Sequence, residues 1–233
     1  MSVFAIGDIH LSFSTDKPMD IFSGWQDYES RLEKNWIRLV EPEDTVIIPG
    51  DISWALNLED TKADFGFLDR LPGTKIIGKG NHDFWWDTLT KMNRFLEENG
   101  FTTIKFLFNN AYDVEDMAIC GTRGWFFDDE SDHAEKILNR EVGRLKLSIE
   151  VAQKIGKELV VFLHYPPLTG EKICEPIMEV LIENNIKKCY YAHLHGNTIN
   201  YAFKGIYKGI EFDLVSADAL GFTPKLVTLS KKL

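Results

Sequence analysis

Basic charge is the first thing this chain is short of. It has 26 Lys and Arg against 36 Asp and Glu, a formal net charge of -10 over 233 residues. Non-specific DNA or RNA binding needs a basic footprint, so the balance argues against a nucleic-acid partner. It argues equally against resting on an anionic membrane surface. Cysteine is scarce: Cys120, Cys174 and Cys189 are odd in number, scattered, and form no C-x-x-C. That disfavours a disulfide framework or zinc knuckle and favours a reducing, cytoplasmic compartment. No apolar run approaches the roughly 20 residues of a membrane span. The opening MSVFAIGDIH lacks the basic start and cleavage site of a secretory signal. Low-complexity linkers and obvious repeats are also missing. What remains is an ordinary soluble composition, 44% hydrophobic and 27% charged, and the expectation is one domain over 1–233.

Apolar patterning and breakers predict alternating elements. Strands are expected at 3–6, 45–48, 75–77, 104–108, 117–120, 159–163, 188–192 and 225–229. Helices are expected at 28–40, 59–71, 87–98, 132–155 and 175–184. Residues 9–25 read as a loop, a turn is expected near Glu115-Asp116, and the tail from 201 reads as β-hairpins turning at Lys204-Gly205 and Lys208-Gly209. This is an α/β protein with more than one sheet and helices outside.

Polar clusters fall at the ends of the expected strands. GDIH supplies Asp8 and His10, GD supplies Asp51, and GNHD supplies Asn81, His82 and Asp83. LHYPP supplies His164, and AHLHG supplies His193 and His195. Of six histidines, only His133, at the expected start of a helix, lies outside them. Singly, each has a bland use: an Asp after a strand is commonly a turn residue or cap, and Asn81 could cap a helix. Together they would converge, because α/β sheets bind ligands beyond the carboxyl ends of their strands. Asp8 and His10 are two apart, as are His193 and His195, and in extended chain that spacing puts both side chains on one face.

Asp8, Asp51 and Asn81 with His10, His164, His193 and His195 make a mixed oxygen and imidazole set. Such a set suits Mn, Fe, Zn or Ni better than Ca or Mg. Seven side chains are too many for one ion. Two divalent ions roughly 3.5–4 Å apart, sharing a carboxylate, are the arrangement used for in-line displacement at phosphorus.

The ordered series D-x-H, G-D, G-N-H-D, strand-end His and H-x-H, spanning Asp8 to His195, resembles the calcineurin-like metallophosphoesterase superfamily. The resemblance implies a four-layer α/β/β/α sandwich of two packed mixed sheets. It implies Asp8, His10 and His195 on one metal, Asn81, His164 and His193 on the other, Asp51 bridging both, and His82 as proton or hydrogen-bond donor to the leaving oxygen. Asp83 could orient His82 or simply begin the next helix, and the second is the expectation. The implied activity is hydrolysis of a small phosphate mono- or diester by attack of a metal-bridging hydroxide. A nucleic-acid or nucleotide phosphodiesterase and a non-catalytic scaffold of the same fold are the alternatives.

The chain departs from the family pattern in one block. Many members read G-D-x-x-D, the second Asp orienting the catalytic His, whereas this chain reads G-D-I-S-W with Trp54 in that place. Ala55 replaces the Arg that follows in Ser/Thr protein phosphatases, which disfavours a phosphoprotein substrate. Trp54 and Trp125 are expected as aromatic walls beside the phosphate. Arg123, in GTRGW, is expected as a phosphate clamp. Lys79 is expected to point away from the centre. The oligomeric state is not readable.

Overall fold

The computed structural model describes residues 1–125 and 132–228, except the side chains of 132 and 133. The expectation for His133 therefore lies outside the described residues, as does residue 229 of the last expected strand.

Eleven strands form two sheets among the described residues. In the first, β1 (Val3–Ala5), β2 (Thr45–Ile48), β3 (Thr74–Ile77) and β4 (Ile104–Phe106) run parallel, and β11 (Lys225–Leu226) pairs antiparallel with β1. In the second, β6 (Met117–Thr122), β7 (Glu158–Leu163), β8 (Lys188–Tyr191) and β10 (Ile210–Leu214) are parallel neighbours. There β5 (Tyr112–Val114) and β9 (Gly205–Tyr207) add antiparallel edges.

Alternation along the strands explains the layers. Val3, Ala5, Ile47 and Ile76 of the first sheet pack with Ile119, Val160, Phe162 and Tyr190 of the second, making a dry layer between the sheets. Their alternates Phe4, Val46, Ile48 and Ile77 face outward onto Leu32, Trp36, Phe65 and Phe95. These come from α1 (Tyr28–Leu39), α2 (Lys62–Arg70) and α3 (Leu89–Asn99). Cys120, Val161, Leu163 and Tyr191 face Leu145, Ile149, Ile177 and Met178, from α4 (Asp132–Gln153) and α5 (Glu175–Glu183). The result is the expected α/β/β/α sandwich.

The differences from expectation are local. The turn at Glu115-Asp116 joins β6 to β5, not to β4, which belongs to the other sheet. In the tail, Lys208 and Gly209 make the left-handed hairpin turn between β9 and β10. Gly205 instead begins β9, preceded by a 3-10 turn at Gly196–Tyr201. Helix α3 starts later than expected because Thr88 caps it, its hydroxyl accepting from the Lys91 N–H.

Phe162 is fully buried between the sheets. Phe162→Ala should cost about 3–5 kcal/mol of unfolding free energy, because that layer cannot collapse without moving both sheets. Denaturant unfolding checks this, and a change below about 1 kcal/mol would mean the sheets are not closely packed there.

Candidate metal centre

All five polar clusters follow parallel strands at their carboxyl ends: β1, β2 and β3 of one sheet, β7 and β8 of the other. Backbone hydrogen bonds continue the pairing past the strand ends. Asp8 N–H donates to Gly50 O at 3.1 Å and His10 N–H to Asp51 O at 3.0 Å. Two contacts then tie the sheets together at this rim. His193 N–H donates to Asp8 Oδ2 at 2.7 Å, and His164 Nδ1 faces Pro49 O at 3.2 Å.

The side chains converge by a different device from the expected pleat. Asp8, His10, Asp51 and His193 all have φ between 45° and 72°, so the D-x-H and H-x-H pairs do not sit in extended chain. The left-handed conformation is strained for residues with a Cβ and costs of order 1–3 kcal/mol each. Tight turns, rather than strand alternation, aim these groups inward. Close backbone approach does the rest. A Cβ on Gly50, itself at φ 106°, would stand 2.6 Å from Gly80 Cα and 2.8 Å from His164 Nδ1, so only glycine fits there. A Cβ on Gly80 would collide with the Asp51 carboxylate.

Asp83 holds this corner, a role its expected place at a helix start did not anticipate. Its fully buried carboxylate accepts from Asp51 N at 2.9 Å, Ile52 N at 2.8 Å, Gly80 N at 2.7 Å and Trp85 Nε1 at 3.0 Å. It thus fastens the GD loop to the GNHD loop. The short spacing to Gly80 was the available signal. At the opposite side Asp218 accepts from Gly196 N at 2.6 Å and steadies the H-x-H loop. No sequence pattern pointed to it.

Ligand atoms of Asp8, Asp51 and His164 lie within 4.8 Å of one another. His164 Nε2 is 3.5 Å from Asp51 Oδ2 and 2.7 Å from Asn81 Oδ1, and His193 Nδ1 is 2.9 Å from the same Asn81 oxygen. His10 Nε2 is 3.7 Å from Asp51 Oδ2, and the His10 and His195 rings meet edge-on at 5.4 Å. Asp51 therefore stands between a His10 and His195 end and an Asn81, His164 and His193 end.

Burial holds the His164 and His10 rings well below the ordinary imidazole pKa, so both are neutral. A neutral His164 that donates from Nδ1 to Pro49 O presents a lone pair at Nε2 toward Asn81 Oδ1 and Asp51 Oδ2. Among the described residues, Asp8 Oδ1, Asp51 Oδ2 and both His10 ring nitrogens are buried without a hydrogen-bond partner, with the Ser216 hydroxyl beside the Asp8 carboxyl. Carboxylate oxygens and imidazole nitrogens facing one another in a buried site are what a cation site requires, and oxygen plus imidazole is a transition-metal donor set. The residues present fit the metals that the sequence implies.

His82 lies beside the His10 end, its ring 5.6 Å from His10 and 4.4 Å from Trp54. Its backbone N–H donates to Asp51 Oδ1 at 2.8 Å. Arg123 lies at the other end, behind Tyr165. Tyr165 N–H donates to Arg123 O at 2.8 Å, and the Tyr165 ring packs on His193 at 4.4 Å. The guanidinium is 3.6 Å from the buried Glu141 and lies over the Trp125 ring at 5.3 Å. Arg144 also pairs with Glu141, and Lys79 lies nearby. Glu141 as a partner of Arg123 was not legible in the sequence. Trp85 and Trp86 pack in and against the core.

Burial pushes the Asp8 carboxyl up to about 7, and burial together with Asp83 and Asp8 raises Asp51 well above the ordinary carboxylate range. The histidines move the opposite way, His193 to about 4, again chiefly through burial. A carboxyl with a raised folded pKa keeps its proton as pH falls below that value, and a metal must displace it. Divalent-ion affinity should therefore weaken by about tenfold or more per unit as pH falls below about 7, with carboxylates rather than imidazoles setting the midpoint. Manganese titration by calorimetry between pH 5.5 and 8 checks this. A flat affinity across that range would contradict it.

No helix among the described residues is long and apolar enough to cross a membrane. A comparison with curated proteins finds no match. Among solved structures, the phosphopantetheinyl hydrolase PptH from Mycobacterium tuberculosis is similar at 14% identity and a TM-score of 0.57, covering 99% of this chain and 96% of that one. The protein of unknown function AQ665 from Aquifex aeolicus is similar at 18% identity and a TM-score of 0.50, covering 97% and 95%. At such identities these likenesses speak for the fold. The family model of the calcineurin-like phosphoesterases matches residues 1–197, from the first strand through all five polar clusters, and the chain belongs to that family.

Proposed function

We propose that the protein is a two-metal phosphoesterase acting on a small phosphate ester, with Mn, Fe, Zn or Ni as its ions. The observation that carries this reading is the buried convergence of oxygen and imidazole ligand atoms of Asp8, Asp51, Asn81 and His164, with His10 beside Asp51. Asp8, His10 and His195 would hold one ion, Asn81, His164 and His193 the other, and Asp51 both. Bound there, such ions neutralise phosphate charge and supply an activated water near neutral pH.

The chain's own groups do the rest. Asp51 keeps one oxygen on the His82 N–H and turns the other inward. His82 holds a proton at the leaving-group side. Burial, then His195 and Lys17, lower its affinity for that proton, and the negative charge of a bound phosphate would counter this. Arg123 can reach phosphate oxygens by exchanging its long contact with Glu141 for a charged substrate. Trp54 and Trp125 would flank the two ends as flat apolar walls.

A small substrate is favoured over nucleic acid because the chain is acidic as a whole. A non-catalytic scaffold would not need seven gathered ligands. Monoesters and diesters both belong in a substrate panel. A phosphopantetheinyl ester joins them because a protein of the same fold bears that name.

Metal-reconstituted protein should hydrolyse an aryl phosphate or bis-aryl phosphate, and chelation should abolish the activity. A fully loaded protein that turns over no ester in the panel would contradict the reading. Asp51→Asn should lower the content of both ions together, as read by elemental analysis, whereas loss of one alone would refute the bridge. His82→Ala should keep the metals and lose about 10²–10⁴-fold in kcat. Arg123→Lys and Arg123→Ala should each lower kcat/KM about tenfold or more with metal content unchanged, and wild-type kinetics in both would leave GTRGW a structural loop.

A further inference from the structure

His82 is held in an unusual way. Neither ring nitrogen makes a hydrogen bond among the described residues, although its backbone is fixed at both N–H and C=O. What the ring does touch is aromatic. Trp54 lies 4.4 Å away between centroids at 50°, His10 lies 5.6 Å away, and the largely exposed Phe84 6.3 Å away. Trp54 is the nearest of the three. The same indole stacks on the buried His10 ring at 4.9 Å and 21°, so that contact sets its plane.

Trp54 is itself rigidly presented. Its N–H donates to Leu11 O at 2.9 Å. On either side, Ala55 N–H donates to Ser53 Oγ at 3.1 Å, and Ser53 Oγ donates to the buried Asp64. Lys17 lies over the indole at 5.6 Å and adds a cation contact. The Trp54 indole N–H, in contrast, is buried without a partner. The ring is therefore kept at some cost in hydrogen bonding, which a merely space-filling Phe would not incur.

We infer that Trp54 is the positioning residue for His82: its indole packs the imidazole into the orientation for proton donation by ring contact, without a hydrogen bond. The inference rests on the two-metal phosphoesterase reading and deepens it. Ring packing confines the imidazole on one face and leaves both nitrogens free to meet substrate. An error of about 1 Å in placing such a group can cost up to about 10²-fold in rate.

The test is a double-mutant cycle on phenyl phosphate, a substrate with a poor leaving group, using metal-loaded protein. Trp54→Ala should lower kcat about tenfold or more with metal content little changed, any loss of its substrate-flanking wall appearing separately in KM. Trp54→Phe should recover most of the rate, because a flat ring is restored and an unpartnered donor removed. In the His82→Ala background, Trp54→Ala should cost nothing further, since it acts through His82. On 4-nitrophenyl phosphate, whose leaving group needs little protonation, the Trp54→Ala loss should shrink.

A readout without turnover runs beside it. The His82 ring-proton NMR signal, assigned with His82→Ala, should carry the indole ring-current shift in wild type, lose it in Trp54→Ala and partly regain a shift in Trp54→Phe. Additive losses in the cycle, loss of metal in Trp54→Ala, or an unmoved NMR signal would each overturn the inference. If wild type turns over neither of these esters nor a bis-aryl phosphate, the phosphoesterase reading fails, while the NMR series still decides whether Trp54 orients His82.

Discussion

The structure turns on a cluster of buried acceptors that face one another. Asp8 Oδ1, Asp51 Oδ2 and the His10 nitrogens have no hydrogen-bond partner, and Asn81 Oδ1 sits between two imidazole nitrogens. Leaving such groups desolvated and unpaired costs on the order of 1–3 kcal/mol each, more where charge is involved. The neutral histidines and the raised Asp8 and Asp51 show how the protein answers that cost without a cation. A pair of divalent ions would satisfy the carboxylate oxygens, Asn81 Oδ1 and one nitrogen of each imidazole at once. The surrounding strain has the same origin, because four of the seven gathered residues adopt left-handed backbone to point inward.

The sandwich supplies what that arrangement needs. Two parallel-stranded sheets put five strand ends at one rim, and the dry layer of Ile47, Ile76, Val160 and Phe162 fixes one sheet on the other. The contacts from His193 N–H to Asp8 and from His164 to Pro49 then lock the two half-sites in register. Asp83 is the corresponding lock within the first sheet, one carboxylate answering several backbone donors of two loops. Removing any of these leaves ligands attached to strands that no longer agree on where the centre is.

Much of this was legible in the residues. Apolar strands ending in Gly-Asp, Gly-Asn-His-Asp and His-x-His place ligand chemistry at strand ends, and β1, β2, β3, β7 and β8 do carry them there. The short apolar run at 3–6 marked a strand, and β1 lies within it. What could not be read was non-local or conformational. A spacing of two suggested a pleat, whereas Asp8 and His10 use left-handed turns that no composition rule announces. Asp83 and Asp218 act through backbone donors, which every sequence has. The ion pair of Arg123 with Glu141 joins residues 18 apart whose meeting depends on how α4 lies against β6. The division of β4 and β5 between two sheets likewise depends on tertiary pairing, not on strand propensity.

The most direct test of the account is where cations bind. Crystals grown with Mn²⁺ and measured at the manganese absorption edge should show two anomalous peaks roughly 3.5–4 Å apart, with Asp51 between them and Asp8 and Asn81 at opposite ends. A single peak, or peaks lying away from Asp51 Oδ2, would contradict the shared two-metal centre.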